Sequence, residues 1–290
     1  MAVTDVYKAK RSRRVKRLRI RGVEYAINEW GNSADPLFIY LHGWGDTGST
    51  FQFVVDELQQ GWFVVAPDWR GFGGSASRTR AYWFPDYLAD LDLILRNYSP
   101  DAAVRIVGHS MGGNVAGIYA GTFPERVSML ANIEGFGLPD AQPREAPARY
   151  RTWIEQEEAG AEFLDYASFN ALAQRLCHRN PGMTPAQAEF VAREWAEENA
   201  AGRVVLRADP AHKLPNPVLY RRAEAEACWR ETSAATVLIA GRRSHFVAPD
   251  DPLFAQQKAR WIEDAGHMLH FERPGELAGI IEEFLSSTGT

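Results

Sequence analysis

Val104-Arg-Ile-Val107-Gly108-His109-Ser110-Met111-Gly112-Gly113 is the stretch on which the fold turns. Val104–Val107 is a short apolar run of the kind that forms a strand buried on both faces of a parallel sheet. Gly108 to Gly112 then fits the G-x-S-x-G pattern in the context that gives it meaning, a strand before and a helix after. The spacing has a steric reason. The chain must turn sharply enough to expose the Ser110 hydroxyl, so small residues are needed on either side, and Gly108 and Gly112 meet that need. The helix that starts at the serine turns its free N–H groups and dipole toward any negative charge there. A tightly packed glycine-rich turn explains the glycines but not the serine between them. Ser110 is therefore the candidate nucleophile.

Outward from that turn, short apolar runs recur at Leu37–Leu41, Phe63–Ala66, Met129–Ile133 and Thr236–Ala240. Helical segments separate them at about 50–60, 83–97 and 111–122. Arg14–Ile20 and Val23–Glu29 read as two strands turned at Arg21-Gly22, and Arg260–Glu263 as the last strand. Strand and helix in alternation predict an α/β fold, a mostly parallel eight-stranded sheet with helices on both faces. The rhythm breaks between Leu138 and Ser233, where Ala, Glu and Arg abound and Pro139, Pro143 and Pro147 mark the entry. That shift predicts an inserted helical cap over 139–233, core segments at 14–138 and 234–290, and a basic arm over 1–13. Within the cap, Thr184-Pro185 followed by Gln187 has the N-cap, N1-proline and N3-glutamine signature of a helix start. Its helix is expected to run to about Asn199, and Pro274–Leu285 closes the chain as an amphipathic helix.

Two more motifs carry chemistry. His42-Gly43-Trp44-Gly45-Asp46 follows the strand Leu37–Leu41. The backbone N–H groups of Trp44 and Met111 are expected to form an oxyanion hole, where losing one donor typically costs roughly 3–4 kcal/mol in the barrier. The His42 side chain is read as bracing its loop. Gly266-His267 follows the last strand, and His267 is the candidate general base: neutral imidazole near pH 7 can take a serine proton and return it to a leaving group. His270 is read as structural. Together with Asp68-Trp-Arg-Gly-Phe-Gly-Gly-Ser75, where Asp68 is expected to hold its loop, these motifs resemble the α/β-hydrolase fold family over nearly the whole chain. The resemblance is specific for fold and nucleophile and poor for substrate.

The resemblance implies a catalytic acid, commonly an aspartate just beyond the penultimate strand. Ser244 stands there instead. A hydroxyl can orient imidazole but cannot offer imidazolium a full opposite charge. Glu134 ends the neighbouring strand, where some members of the fold, including certain haloalkane dehalogenases, carry their acid. Glu134 is the expected acid, with Asp250 and Asp251 as the alternatives.

Composition excludes other classes. The net charge of −5 argues against a nucleic-acid partner, although Lys8–Arg21 is strongly basic. Those cations are read as a solvated tail running into an exposed edge strand, where charge discourages edge-to-edge pairing. Cys177 and Cys228 make no disulfide framework, no apolar segment follows the basic N-terminus, and no run approaches the ~18 apolar residues of a membrane span, so a cytoplasmic location is expected. There is no H-E-x-x-H, C-x-x-C or dinucleotide fingerprint, so no metal and no cofactor are expected. The expected reaction is hydrolysis of a small or medium ester, thioester or lactone through an acyl-enzyme. Serine at the nucleophile argues against dehalogenases and epoxide hydrolases of this fold, which use aspartate there. A C–C bond hydrolase, a lyase, or a slow-turnover ligand receptor are the alternatives. The substrate is a small acyl molecule, and the cap aromatics, Trp153 and Trp195 among them, are candidates to line its pocket.

Overall fold

The computed structural model describes residues 6–75, 79, 81–246, 254 and 257–287. Its strands are β1 (Arg14–Ile20), β2 (Val23–Trp30), β3 (Leu37–Leu41), β4 (Phe63–Pro67), β5 (Val104–His109), β6 (Val127–Ile133), β9 (Ala235–Gly241) and β10 (Lys258–Ile262), with β7 (Ala196–Glu198) and β8 (Val204–Leu206) apart. The first eight form one sheet in the order β1-β2-β4-β3-β5-β6-β9-β10. β1 pairs antiparallel with β2 and β2 antiparallel with β4, and the other pairings are parallel. The sheet is thus the expected one.

Side chains that alternate along each strand feed two different cores. Phe38, Tyr40, Val64, Ala66 and Val107 face a layer built on α1 (Gln52–Val55) and α9 (Pro274–Ser286). Ile39, Leu41, Val65 and Ile106 face a layer built on α2 (Phe84–Tyr98) and α3 (Met111–Thr122). Helices on both faces explain why the inner strands read as continuous apolar runs: neither side meets water.

Between β6 and β9 the chain makes α4 (Ala146–Ala159), α5 (Phe169–Arg179), α6 (Pro185–Trp195), the β7–β8 hairpin and α7 (Arg222–Glu231). α5 and α6 bury their own apolar cluster, Leu172, Leu176, Ala188 and Val191, against Phe53 and Phe271 of the main body. α7 turns back onto α3, where a side chain at Gly121 would collide with the Cys228 carbonyl.

Three local expectations change. α6 has its capping box at Thr184 and Gln187 but stops at Trp195 rather than near Asn199. The Asn199 side chain accepts the Ala201 and Arg203 N–H groups and Gly202 takes φ +72°, closing a turn that pairs Ala196–Glu198 with Val204–Leu206. The helix near 50–60 is reduced to α1 behind a short 3-10 turn. Residues 7–13 are no solvated tail. Asp56, just past α1, accepts the Tyr7 hydroxyl and the Lys10 and Arg11 N–H groups. Tyr7 also donates its N–H to Ala186 of α6, and Arg13 forks onto Glu194 at 2.8 and 2.9 Å. Cys177 and Cys228 are free. Among the described residues, no helix is long and apolar enough to cross a membrane.

Candidate active site

Strand order reverses between β3 and β5: β4 lies on one side of β3 and β6 on the far side of β5. A crevice opens at the carboxyl ends of strands at such a switch. The loop after β3 brings His42–Asp46 to it, and the turn after β5 brings Ser110.

Ser110 sits at φ +52°, ψ −115°, a conformation an ordinary residue holds only when its surroundings force it. Its N–H donates to the Ile133 carbonyl at 2.7 Å, and a Cβ at Gly112 would run into the Leu41 carbonyl of the next strand. The motif's glycine is therefore a matter of clearance between β3 and α3. Met111 opens α3, so its N–H has no intrahelical acceptor. Among the described residues neither this N–H nor that of Trp44 donates a hydrogen bond.

His267 lies in the turn after β10. Its Nδ1 stands 3.3 Å from Glu134 Oε2, and the Phe246 ring stacks on it at 4.0 Å. Glu134 is buried at φ +57°, with its N–H on the Ile239 carbonyl of β9. Its other contacts come from the loop after β9: the Gly241 N–H donates to Oε1 at 2.8 Å and the Ser244 hydroxyl to Oε2 at 2.6 Å. Ser244, at the position where an acid is common, thus donates to the acid of the neighbouring strand. Asp250 and Asp251 lie outside the described residues. Ser110 and His267 line one cavity, and the Ser110 hydroxyl makes no hydrogen bond among the described residues. Catalytic hydrogen bonds are often open in unliganded sites and close around substrate.

A buried polar chain backs His267. The His109 Nε2–H donates to the His267 carbonyl at 2.8 Å. His270 Nε2 lies 3.0 Å from Asp46 Oδ2, while Asp46 Oδ1 accepts Thr50 Oγ1–H and Trp195 Nε1–H. Among the described residues, Asp46, His109 and His270 form the one buried trio with donor atoms close enough to share a cation, within 4.8 Å of one another. Those hydrogen bonds already occupy Asp46 and one nitrogen of each histidine, so the trio braces the loop. His42 Nδ1–H donates to the Gly43 carbonyl and Nε2 accepts the Trp69 N–H; burial pushes this histidine down to about 4, and it is a neutral structural group. Asp68 accepts the Gly48 and Gly74 N–H groups and so holds its loop as expected. The sequence showed no pattern joining Asp46 and His109 to this chain.

The cavity at Ser110 measures about 570 Å³. Trp44, Tyr82, Trp83, Phe84, Tyr87, Trp153, Phe246 and the Leu214–Pro217 segment line it. Sequence reasoning anticipated Trp153 but missed Tyr82–Phe84, an aromatic run at a helix start that a core helix does not need. Trp195, Phe163 and Tyr166 line a second cavity beyond Trp44, while Phe169 and Phe190 pack against the apolar cluster of α5 and α6 and Tyr220 and Trp229 pack near Phe136.

Comparison with known proteins agrees with the geometry. Residues 36–274 match the alpha/beta hydrolase fold family. A serine hydrolase-like protein of Danio rerio is 27% identical over 88% of this chain and 83% of its own length. Serine hydrolase-like protein 2 of Homo sapiens is 26% identical over 91% of each. Among solved structures, the thioesterase domain from the curacin biosynthetic pathway superposes with a TM-score of 0.83 at 24% identity, covering 93% of this chain and 99% of that one. An esterase from Mycobacterium tuberculosis superposes with a TM-score of 0.71 at 24% identity, covering 95% and 92%.

Proposed function

The chain belongs to the α/β-hydrolase fold family, and from that premise we propose that it is a serine hydrolase that cleaves a carboxylic ester or thioester through an acyl-enzyme. One observation carries the reading. A strained serine and a histidine whose far nitrogen faces a buried carboxylate open on the same cavity, beside two free backbone N–H groups. In the reaction, His267 Nε2 takes the Ser110 proton as Oγ attacks the substrate carbonyl. Glu134 holds the Nδ1–H tautomer and stabilises the imidazolium that forms. The Trp44 and Met111 N–H groups receive the oxyanion. Collapse of the tetrahedral intermediate expels the leaving group with the proton from His267. Water, deprotonated by the same nitrogen, then frees the acid and restores Ser110. The relatives and neighbours, serine hydrolase-like proteins, an esterase and a thioesterase domain, favour acyl transfer to water over carbon–carbon cleavage.

A fluorophosphonate probe tests the nucleophile. Labelling once, at Ser110, with loss of labelling and of p-nitrophenyl ester turnover in a folded Ser110→Ala protein, is the expected result. Labelling that persists on another residue of the alanine protein defeats the assignment.

A further inference from the structure

The second cavity, about 490 Å³, has no part in the chemistry above. Four cations stand in its wall: Arg175 and Arg179, one turn apart on α5, with Arg207 and Lys213 from the chain after β8. This concentration runs against a chain with 37 acidic and 32 basic residues. Neighbouring arginines are paired, Arg193 with Glu189 at 2.7 Å and Arg203 with Asp165 at 2.9 Å. Arg175 and Arg179 have no such partner among the described residues. Arg207 is held by the Arg193 and Ala196 carbonyls, with the Glu197 carboxylate no nearer than 4.0 Å, and Lys213 Nζ donates to the Glu162 carbonyl. Carbonyls fix a cation in place without cancelling its charge. The one acidic side chain in the wall among the described residues, Asp46, already faces His270, Thr50 and Trp195. Cations in the last turn of α5 also suit its dipole, but that accounts for neither Arg207 nor Lys213.

The two cavities share Trp44, which is 54% exposed. Met268, next to His267, also faces the second one. Elsewhere a stack of Tyr82, His212 and Phe72, with ring centroids 3.5 and 3.8 Å apart, stands between them. A ligand extending past Trp44 from Ser110 therefore puts its far end among the cations. Resting on the serine-hydrolase reading, we propose that the second cavity receives an anionic end of the substrate. The enzyme's substrates are then esters or thioesters that carry a carboxylate or phosphate on the far side of Trp44 from the scissile carbonyl.

The experiment compares p-nitrophenyl esters of graded chain length ending in a methyl group, a carboxylate or a phosphate. Wild-type protein should favour one of the anionic series in kcat/KM, and the preference should shrink as salt rises. Arg175→Ala/Arg179→Ala should cut that preference by about tenfold, mostly through KM, and leave the methyl-ended ester unchanged, the scale expected for two solvent-accessible charge contacts. Lys213→Gln should act in the same direction. Which anionic series is favoured separates carboxylate from phosphate. An equal or lower kcat/KM for both anionic series, or a preference untouched in the double variant, overturns the proposal. If no ester is turned over, the hydrolase reading fails and the cavity is judged alone. Calorimetric titration of the Ser110→Ala protein with inorganic pyrophosphate should then show binding that the double arginine variant loses, and absence of binding overturns the proposal.

Discussion

Glu134 shows how far a single residue can be read. Its candidacy rested on a neighbour: with serine at position 244, the adjoining strand end was the preferred source of the carboxylate, with Asp250 and Asp251 as the alternatives. That inference needed only the order of strands. What no local pattern disclosed is that Ser244 Oγ would lie 2.6 Å from the Glu134 carboxylate, donating to it. Nor did the sequence reveal that Glu134 would sit at φ +57°, a strain of about 1–3 kcal/mol kept by its bond to Ile239 and its place beside Gly241. Glu134→Gln should preserve shape but remove the charge facing His267. By analogy with the aspartate-to-asparagine change in serine proteases, turnover should fall by up to about 10⁴-fold, on the order of 5 kcal/mol in the barrier, with little change in KM. Ser244→Ala leaves the carboxylate in place and should cost far less. Steady-state kinetics on both variants decide it, and equal losses would assign the acid's role elsewhere. The bracing chain of Asp46, His109 and His270 escaped notice because its members stand 63 and 161 positions apart along the sequence and share no motif.

At the scale of elements, starts were more legible than ends. α6 announces itself through side chains that touch their own turn, Thr184 and Gln187. Its end is fixed by a hairpin whose partner strand lies beyond a glycine turn, so propensity alone ran four residues too far. The N-terminal segment was misread for a similar reason: its cations looked solvated because Glu57 and Glu194, which receive Lys10 and Arg13, are remote in sequence. Arg13 and Glu194 are each about one-fifth exposed and joined by two bonds. A double-mutant cycle of Arg13→Ala and Glu194→Ala, read by urea denaturation, should give a coupling of about 1 kcal/mol. A coupling indistinguishable from zero would leave the segment held by its bonds to Gln52, Asp56, Glu57, Leu58 and Ala186. The aromatics divide in the same way. Trp153 lines the cavity of Ser110 while Trp195 donates to Asp46 and lines the other. Trp153→Ala should therefore shift preference among neutral esters of different length, and Trp195→Ala should not. The ester panel tests this, and matching profiles would contradict the division.

Across the whole molecule, the mostly parallel sheet and both helical layers followed from alternation of apolar runs, because a doubly covered sheet leaves that pattern in every inner strand. Burial of histidine did not show in the pattern, and it makes stability depend on pH. Burial pushes His42 and His212 down to about 4 and His109 well below its ordinary value. Unfolded, each takes up a proton near pH 6.5. Between there and pH 4 the unfolded chain binds more protons, so stability falls as pH drops. Asp68, pushed up to about 6 by burial, binds its proton more readily when folded and opposes this below pH 6, one group against three. At pH 5.5 the net loss is about 3 kcal/mol, and the thermal midpoint should stand roughly 5 °C below its value at pH 7. A midpoint unchanged between those pH values would mean that the histidines are reached by protons in the folded state. The long excursion between β6 and β9 has another kind of consequence, one of timing. On the ribosome β6 emerges with β5 beside it, but its other neighbour begins about 100 residues later. At roughly 5–20 residues per second, an apolar strand edge stands open for about 5–20 s, a template for pairing with a neighbouring nascent chain.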